Sequence, residues 1–288
     1  MLRLPKLFVL LVLSVLLVAC SSTPPTSISE RQLGDAKNNL KSSDFKAALD
    51  NLSNAIKSAK NDSLRQQALV LRVALVTALA DANEQLAEAY YTGAKQPLAH
   101  SNTGAFNKAR SDYSNAARDY LMDAMQSVLD QRSKLGADPM SIEVAFPGFT
   151  GGEDQGLAKI KSGELIAEAE RVNTELQLER NCLAEVLAGF VGTGQDLNKA
   201  RGIFNAGKVD VDPRVYIVTL SDEFMHTGAM FDTRWNNQPE KFRTVNQVVL
   251  GNLEVASKLL ATKPDKDLEA RVKKMHADCD KCLKKIKA

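Results

Sequence analysis

Residues 68–80 read ALVLRVALVTALA. The run is apolar nearly all round a helical projection, so a helix formed here has to be buried on most of its sides. Such a helix needs neighbours, and the flanking sequence supplies helices. Upstream, Phe45, Ala48, Leu49, Leu52, Ala55 and Ile56 recur at i, i+3, i+4 and i+7, the spacing of one helical face. Ser43-Asp44 stands just before them as an N-cap. Downstream, Leu86, Ala87, Tyr90, Tyr91 and Ala94 form the next stripe, which Gly93 and Lys95-Gln96-Pro97 close. Residues 104–135 carry Phe106, Ala109, Tyr113, Ala117, Leu121, Ala124 and Val128 on one side of a long helix or a closely joined pair. Gly136-Ala137-Asp138-Pro139 stops it.

A glycine-rich link, Pro147 to Gly156, precedes a second helical block. That block runs from Leu157 through Gly189 and continues as a short helix from Leu197 to Ala206. A further helix follows Asp212-Pro213, where proline suits the first turn. Another covers 239–261 and is opened by Pro239. The last lies beyond Pro264 and carries Leu268, Val272, Met275, Cys279, Cys282 and Ile286. The reading is about ten helices and no sheet, an all-α fold. Composition agrees. Hydrophobic residues at 44% and charged residues at 25% exclude a wholly disordered chain. The 16 glycines and 9 prolines are too few for an all-β protein rich in tight turns. Lys+Arg 37 against Asp+Glu 35 gives a net charge of +2, which disfavours a nucleic-acid partner.

Both surplus cations, Arg3 and Lys6, lie at the N-terminus, before an apolar stretch from Leu7 to Val18 broken only by Ser14. That length and charge fit an export signal rather than a bilayer span. The stretch ends in Leu17-Val18-Ala19-Cys20, which resembles the bacterial lipoprotein signal. The resemblance implies cleavage before Cys20 and diacylation of its thiol, which anchors the chain to a membrane. Ser21 rather than aspartate follows the cysteine, and the sorting rules of such lipoproteins then imply the outer membrane, facing the periplasm. The expected organisation is a signal at 1–19, a lipidated tether at 20–29, a helical block at 30–135, a linker at 136–156 and a second helical block at 157–288.

Small and large residues also recur in a fixed order: Ala48-x3-Leu52-x2-Ala55, Ala87-x3-Tyr91-x2-Ala94, Ala117-x3-Leu121-x2-Ala124 and Ala200-x3-Phe204-x2-Gly207. The three positions share one helical face, where small residues admit a neighbouring helix and the large one fills the gap. This pattern resembles the second helix of a tetratricopeptide repeat. Residues 181–213 match best, with Leu187-Ala188-x-x-Val191, Asp196-Leu197, Ala200, Phe204, Gly207 and the terminator Asp212-Pro213. Residues 29–62 follow. The motifs are not spaced at the 34-residue period of that family, so the expected fold is antiparallel helix pairs stacked as an irregular tetratricopeptide-like array.

Catalytic signatures do not emerge. His100, His226 and His276 are the only histidines, and none sits in H-E-x-x-H. There is no G-x-S-x-G turn and no Walker loop, so no enzyme activity and no cofactor are expected. Beyond Cys20 the cysteines are Cys182, Cys279 and Cys282. Cys279-Asp280-Lys281-Cys282 is a C-x-x-C with His276 one turn earlier. Its readings are a structural disulfide or packed thiols first, and a metal site second. Met140, Ile142, Val144 and Phe146 alternate with other residues at a strand period, either to fill the protein's own groove or to offer an edge to a partner. Trp235, the single tryptophan, sits in the loop Phe231–Pro239 as a lid or a partner anchor. Residues 258–288 hold ten Lys/Arg and five Asp/Glu, a solvated tail with charge suited to a helix C-terminus. The resulting expectation is a membrane-anchored envelope lipoprotein that acts as a protein-interaction scaffold for an envelope partner. A carrier of a small solute held between helices is the alternative.

Overall fold

The computed structural model describes residues 27–150, 154–231 and 238–287. Cys20 with residues 1–19, read above as an export signal, and Trp235 lie outside the described residues. The fold is all-α. Among the described residues ten α-helices run as α1 (Ile28–Ser42), α2 (Phe45–Ser58), α3 (Asp62–Gly93), α4 (Thr103–Arg132), α5 (Gln155–Lys161), α6 (Glu168–Phe190), α7 (Leu197–Asn205), α8 (Pro213–Gly228), α9 (Pro239–Thr262) and α10 (Lys266–Lys287). No described helix is long and apolar enough to cross a membrane.

Helix starts follow local chemistry. Ser27 and Glu30 form a capping box on α1. The side chains of Asp44, Asn61, Asp154, Asp196 and Asp212 each accept a backbone N–H at the start of α2, α3, α5, α7 and α8. Each such cap contributes about 1 kcal/mol. Pro213 and Pro239 occupy first turns, where no N–H is needed.

Helix α3 is the hub. The run at 68–80 and the stripe at 86–94 belong to one helix of 32 residues, because no glycine or proline interrupts residues 81–92. Its middle is buried on every side, from Val73 through Asn83 without a break. Alanines at 74, 78, 80 and 82 are fully buried and let neighbours come close. Helices α2, α4, α5, α6 and α8 all pack against it. The α3–α4 pair is the most extensive, and α1 with α2, and α8 with α9, form further pairs. One helix thus touches many, rather than each pair touching only its neighbours as in stacked repeats.

Three further features differ from the sequence reading. The block from Leu157 to Gly189 is two helices, broken at residues 162–167, where Gly163 adopts φ +91°. A small sheet exists: β1 (Met140–Ile142) pairs antiparallel with β2 (Val209–Val211), Met140 opposite Val211 and Ile142 opposite Val209. The strand-period alternation from Met140 marked β1, but β2 is too short for its alternation to stand out among helical patterns. Finally, 136–156 does not separate two cores. Residues from both blocks join one hydrophobic cluster, and β1 packs on α3.

The small-large-small positions largely behave as helix contacts. Ala48, Leu52, Ala55, Ala117, Leu121, Ala124, Ala200 and Phe204 are all buried. Tyr91 and Ala94 are only partly so, and Gly207 lies beyond α7 with φ +103°.

Arg72 is the cation inside the apolar run. Its guanidinium ties three helices together: Nε donates to Ser53 Oγ on α2 (3.1 Å), Nη1 to Ser127 Oγ (2.6 Å) and Nη2 to both Asp123 carboxylate oxygens (2.9 and 2.7 Å) on α4. Replacing Arg72 by methionine leaves these partners unmet. The expected cost is about 1–3 kcal/mol, read from the urea midpoint. Lys108→Met, which breaks only the exposed pair with Asp112, should shift stability by less than about 0.5 kcal/mol.

Candidate binding cleft and acidic cluster

A cleft of about 790 Å³ opens beside the hub. Its walls are Glu185 and Gly189 from α6, the turn Gly192-Thr193-Gly194-Gln195, Leu197 at the start of α7, Thr219, Asp222 and Glu223 from α8, and Arg271 from α10. Gly192 and Gly194 take φ +72° and +56°, so the turn that forms the mouth needs glycine there. At the cleft floor α6 and α8 approach closely. A Cβ on Gly189 would meet Thr219 Cγ2 at 2.6 Å, and Thr219 Oγ1 donates to the Gly189 carbonyl at 3.2 Å. Arg271 Nη2 pairs with Asp222 Oδ2 at 2.6 Å. Both side chains are about half exposed, so the pair adds little stability.

Behind the cleft, three helices each bring a pair of polar residues one turn apart. These are Asp81 and Glu84 on α3, Cys182 and Glu185 on α6, and Glu223 and His226 on α8. The i, i+3 spacing puts both members of each pair on one face. Asp81 Oδ2 accepts from Gln85 Nε2 at 3.0 Å, and the same nitrogen reaches Cys182 Sγ at 3.5 Å. Asp81 Oδ1 has no hydrogen-bond partner, although the side chain is only 9% exposed. His226 Nε2 faces it at 3.9 Å.

The charges here are of one sign and partly out of water. Burial, reinforced by Asp81, Asp222 and Glu185, pushes the Glu223 carboxyl up to about 7. Burial and Asp81 raise Glu185, with His226 opposing. Burial, then Asp81 and Glu185, hold the Cys182 thiol well above its ordinary range. Cys182 is therefore a protonated, buried thiol and not a nucleophile.

A second polar set joins α4 to α6. Tyr113 donates to the Glu175 carboxylate and accepts from Arg171 Nη1 at 3.0 Å. Tyr90 stacks on Tyr113 with ring centroids 5.5 Å apart. This set is consumed in holding two helices together.

The residues singled out by sequence are placed elsewhere. Met140, Ile142 and Val144 are buried. Phe146 packs on Phe204 at 5.3 Å between centroids. Their alternation covers the protein's own core, the first of the two readings the sequence left open. Cys182 lies on α6, apart from Cys279 and Cys282 on α10. No disulfide joins the described cysteines. Cys279 is buried with its thiol 3.9 Å from Met225 Sδ, a packed thiol. His276 Nδ1 turns to Asp280 Oδ2 at 3.4 Å and is half exposed. Among the described residues the one convergent set of potential metal-ligating atoms is Asp81, Glu84 and His226, so the C-x-x-C metal reading is not kept. Comparison with models of protein families, with curated proteins and with solved structures finds no match.

The sequence carried one signal for this cluster. Two carboxylates, Asp81 and Glu84, follow on the apolar run, the first of them within the buried stretch of the helix. Their partners on α6 and α8 lie far along the chain.

Glu223 gives a pH test. Its proton is held more tightly in the folded chain than at the ordinary value of 4.5. The folded state thus carries no penalty from this group below pH 4.5, and loses stability as pH rises from 4.5 to about 7. The facing charges are Asp81 on α3, Glu185 on α6 and Asp222 on α8, the last paired with Arg271 of α10. In chelator-containing buffer, Glu223→Gln should leave the melting temperature nearly unchanged near pH 4.5 and raise it at pH 8.

Proposed function

We propose that this chain is a lipid-anchored protein of the bacterial envelope that acts as an interaction scaffold, with the cleft between α6, α8 and α10 as its binding face. The lipid address rests on Leu17 to Cys20 and the charged and apolar residues before it. The single observation that carries the binding face is its charge. Glu185, Asp222 and Glu223 line it, and among the described residues lining it Arg271 is the one cation. A solute carrier calls for an apolar pocket with a few convergent polar groups. Polar, acidic walls on rigid helices fit a cationic segment of another envelope protein instead.

Two experiments test the reading. Cys20→Ala should abolish acyl labelling and leave unprocessed precursor, and equal labelling would remove the membrane anchor. A photo-crosslinking side chain at Gln195, on the rim, should give a discrete protein adduct in intact cells. The adduct should disappear when Asp222 and Glu223 are both changed to lysine, and weaken at high salt. An adduct indifferent to both would refute the acidic face. A small molecule copurifying in the cleft would favour the carrier.

A further inference from the structure

We propose that Asp81, Glu84 and His226 form a binding site for a divalent transition-metal ion, with Zn²⁺ as its reference ion. The proposal stands on the geometry of these three side chains and does not rest on the scaffold reading. One ligating atom from each lies within 4.8 Å of the other two. Asp81 Oδ1 and His226 Nε2 are 3.9 Å apart, too far for a hydrogen bond. A tetrahedral ion with bonds of about 2.0–2.2 Å holds two ligand atoms about 3.3–3.6 Å apart, so these two close by a few tenths of an ångström to share one. Glu84 offers a carboxylate oxygen within 4.8 Å of both.

Asp81 supplies the second, independent observation. An almost fully buried carboxylate keeps one oxygen bound to Gln85, while the other, turned towards His226, has no hydrogen-bond partner. Leaving a buried charged acceptor unmet is costly. The Gln85 contact fixes the carboxylate's orientation, the task that outer partners perform in metal sites. The charge count points the same way. Glu185 and Glu223 lie near enough to Asp81 for their charges to repel it. A dication relieves that repulsion. Two carboxylates and one imidazole suit zinc or another late first-row ion better than magnesium or calcium, which favour all-oxygen sites. Three protein ligands leave coordination positions open to water or to a donor from outside. Cys182 lies behind Asp81, outside the convergent set.

The test uses the purified full chain, stripped with chelator and dialysed against Zn²⁺. Bound metal is counted by mass spectrometry and affinity is measured by titration calorimetry. One Zn²⁺ per chain is expected, with a rise in melting temperature. His226→Ala should weaken binding by at least about tenfold. Its imidazole is largely exposed, so this variant keeps the fold. Asp81→Asn, which preserves shape, should do the same, while Cys279→Ser with Cys282→Ser should leave affinity unchanged. Co²⁺ in place of zinc should show no thiolate charge-transfer band. No uptake, uptake unchanged by His226→Ala and Asp81→Asn, or a thiolate band would each overturn the proposal.

Discussion

Everything in this molecule is arranged around a helix that has no solvent face at its centre. Because α3 is buried on all sides from Val73 through Asn83, it specifies neighbours in every direction. Its alanines decide how near they come, since a buried alanine lets two helix axes approach where a leucine would hold them apart. The cost of such a helix falls on its polar side chains, each of which must find a partner inside the fold. Arg72 finds Asp123, Ser127 and Ser53. Asn83 turns back to donate to the Leu79 carbonyl at 2.7 Å. Asp81 is met only on one oxygen. The two polar residues that tie outward, Arg72 and Asp81, stand nine positions apart along α3. One faces α2 and α4, the other α6 and α8.

The second half of the fold is joined to that hub through further polar contacts across its core. Tyr216 on α8 donates to Gln131 Oε1 on α4 at 2.7 Å and packs edge-on against Phe190 of α6. Arg132 Nη1 reaches the Val248 carbonyl on α9 at 3.3 Å. These contacts explain why α8 and α9 follow the hub closely, and why the cleft walls of α6 and α8 keep a fixed separation. The cleft is a by-product of that packing: Gly189 brings the two helices together at its floor, and the glycine turn after α6 opens them at its mouth.

Much of the scaffold was legible in the sequence. Apolar spacing, Asp caps and first-turn prolines are local signals, and they placed α2, α4, α7, α8, α9 and α10 well. What failed is what depends on distant partners. Val209–Val211 becomes a strand only because Met140–Ile142 lies opposite. The break at Gly163 hid within a continuous apolar pattern. The C-x-x-C drew attention because its members are near in sequence, yet a helix turns Cys279 into the core and leaves His276 outside. The Asp81 cluster needs α3, α6 and α8 to meet, and no spacing within one segment records that.

The hub also bears on how the chain acquires its shape. Emerging from the ribosome or from an export channel, the chain presents α3 and α4 before α6 and α8, so the hairpin they form waits with two apolar flanks bare. A nascent chain stopped within the glycine-rich stretch after α4 is thus a sticky intermediate, shielded by a holding chaperone or lost to aggregation. A gene split at that stretch would yield two halves that fold only as a complementing pair. The segment that looks most like a hinge in the sequence is, for folding, the least severable part of the chain.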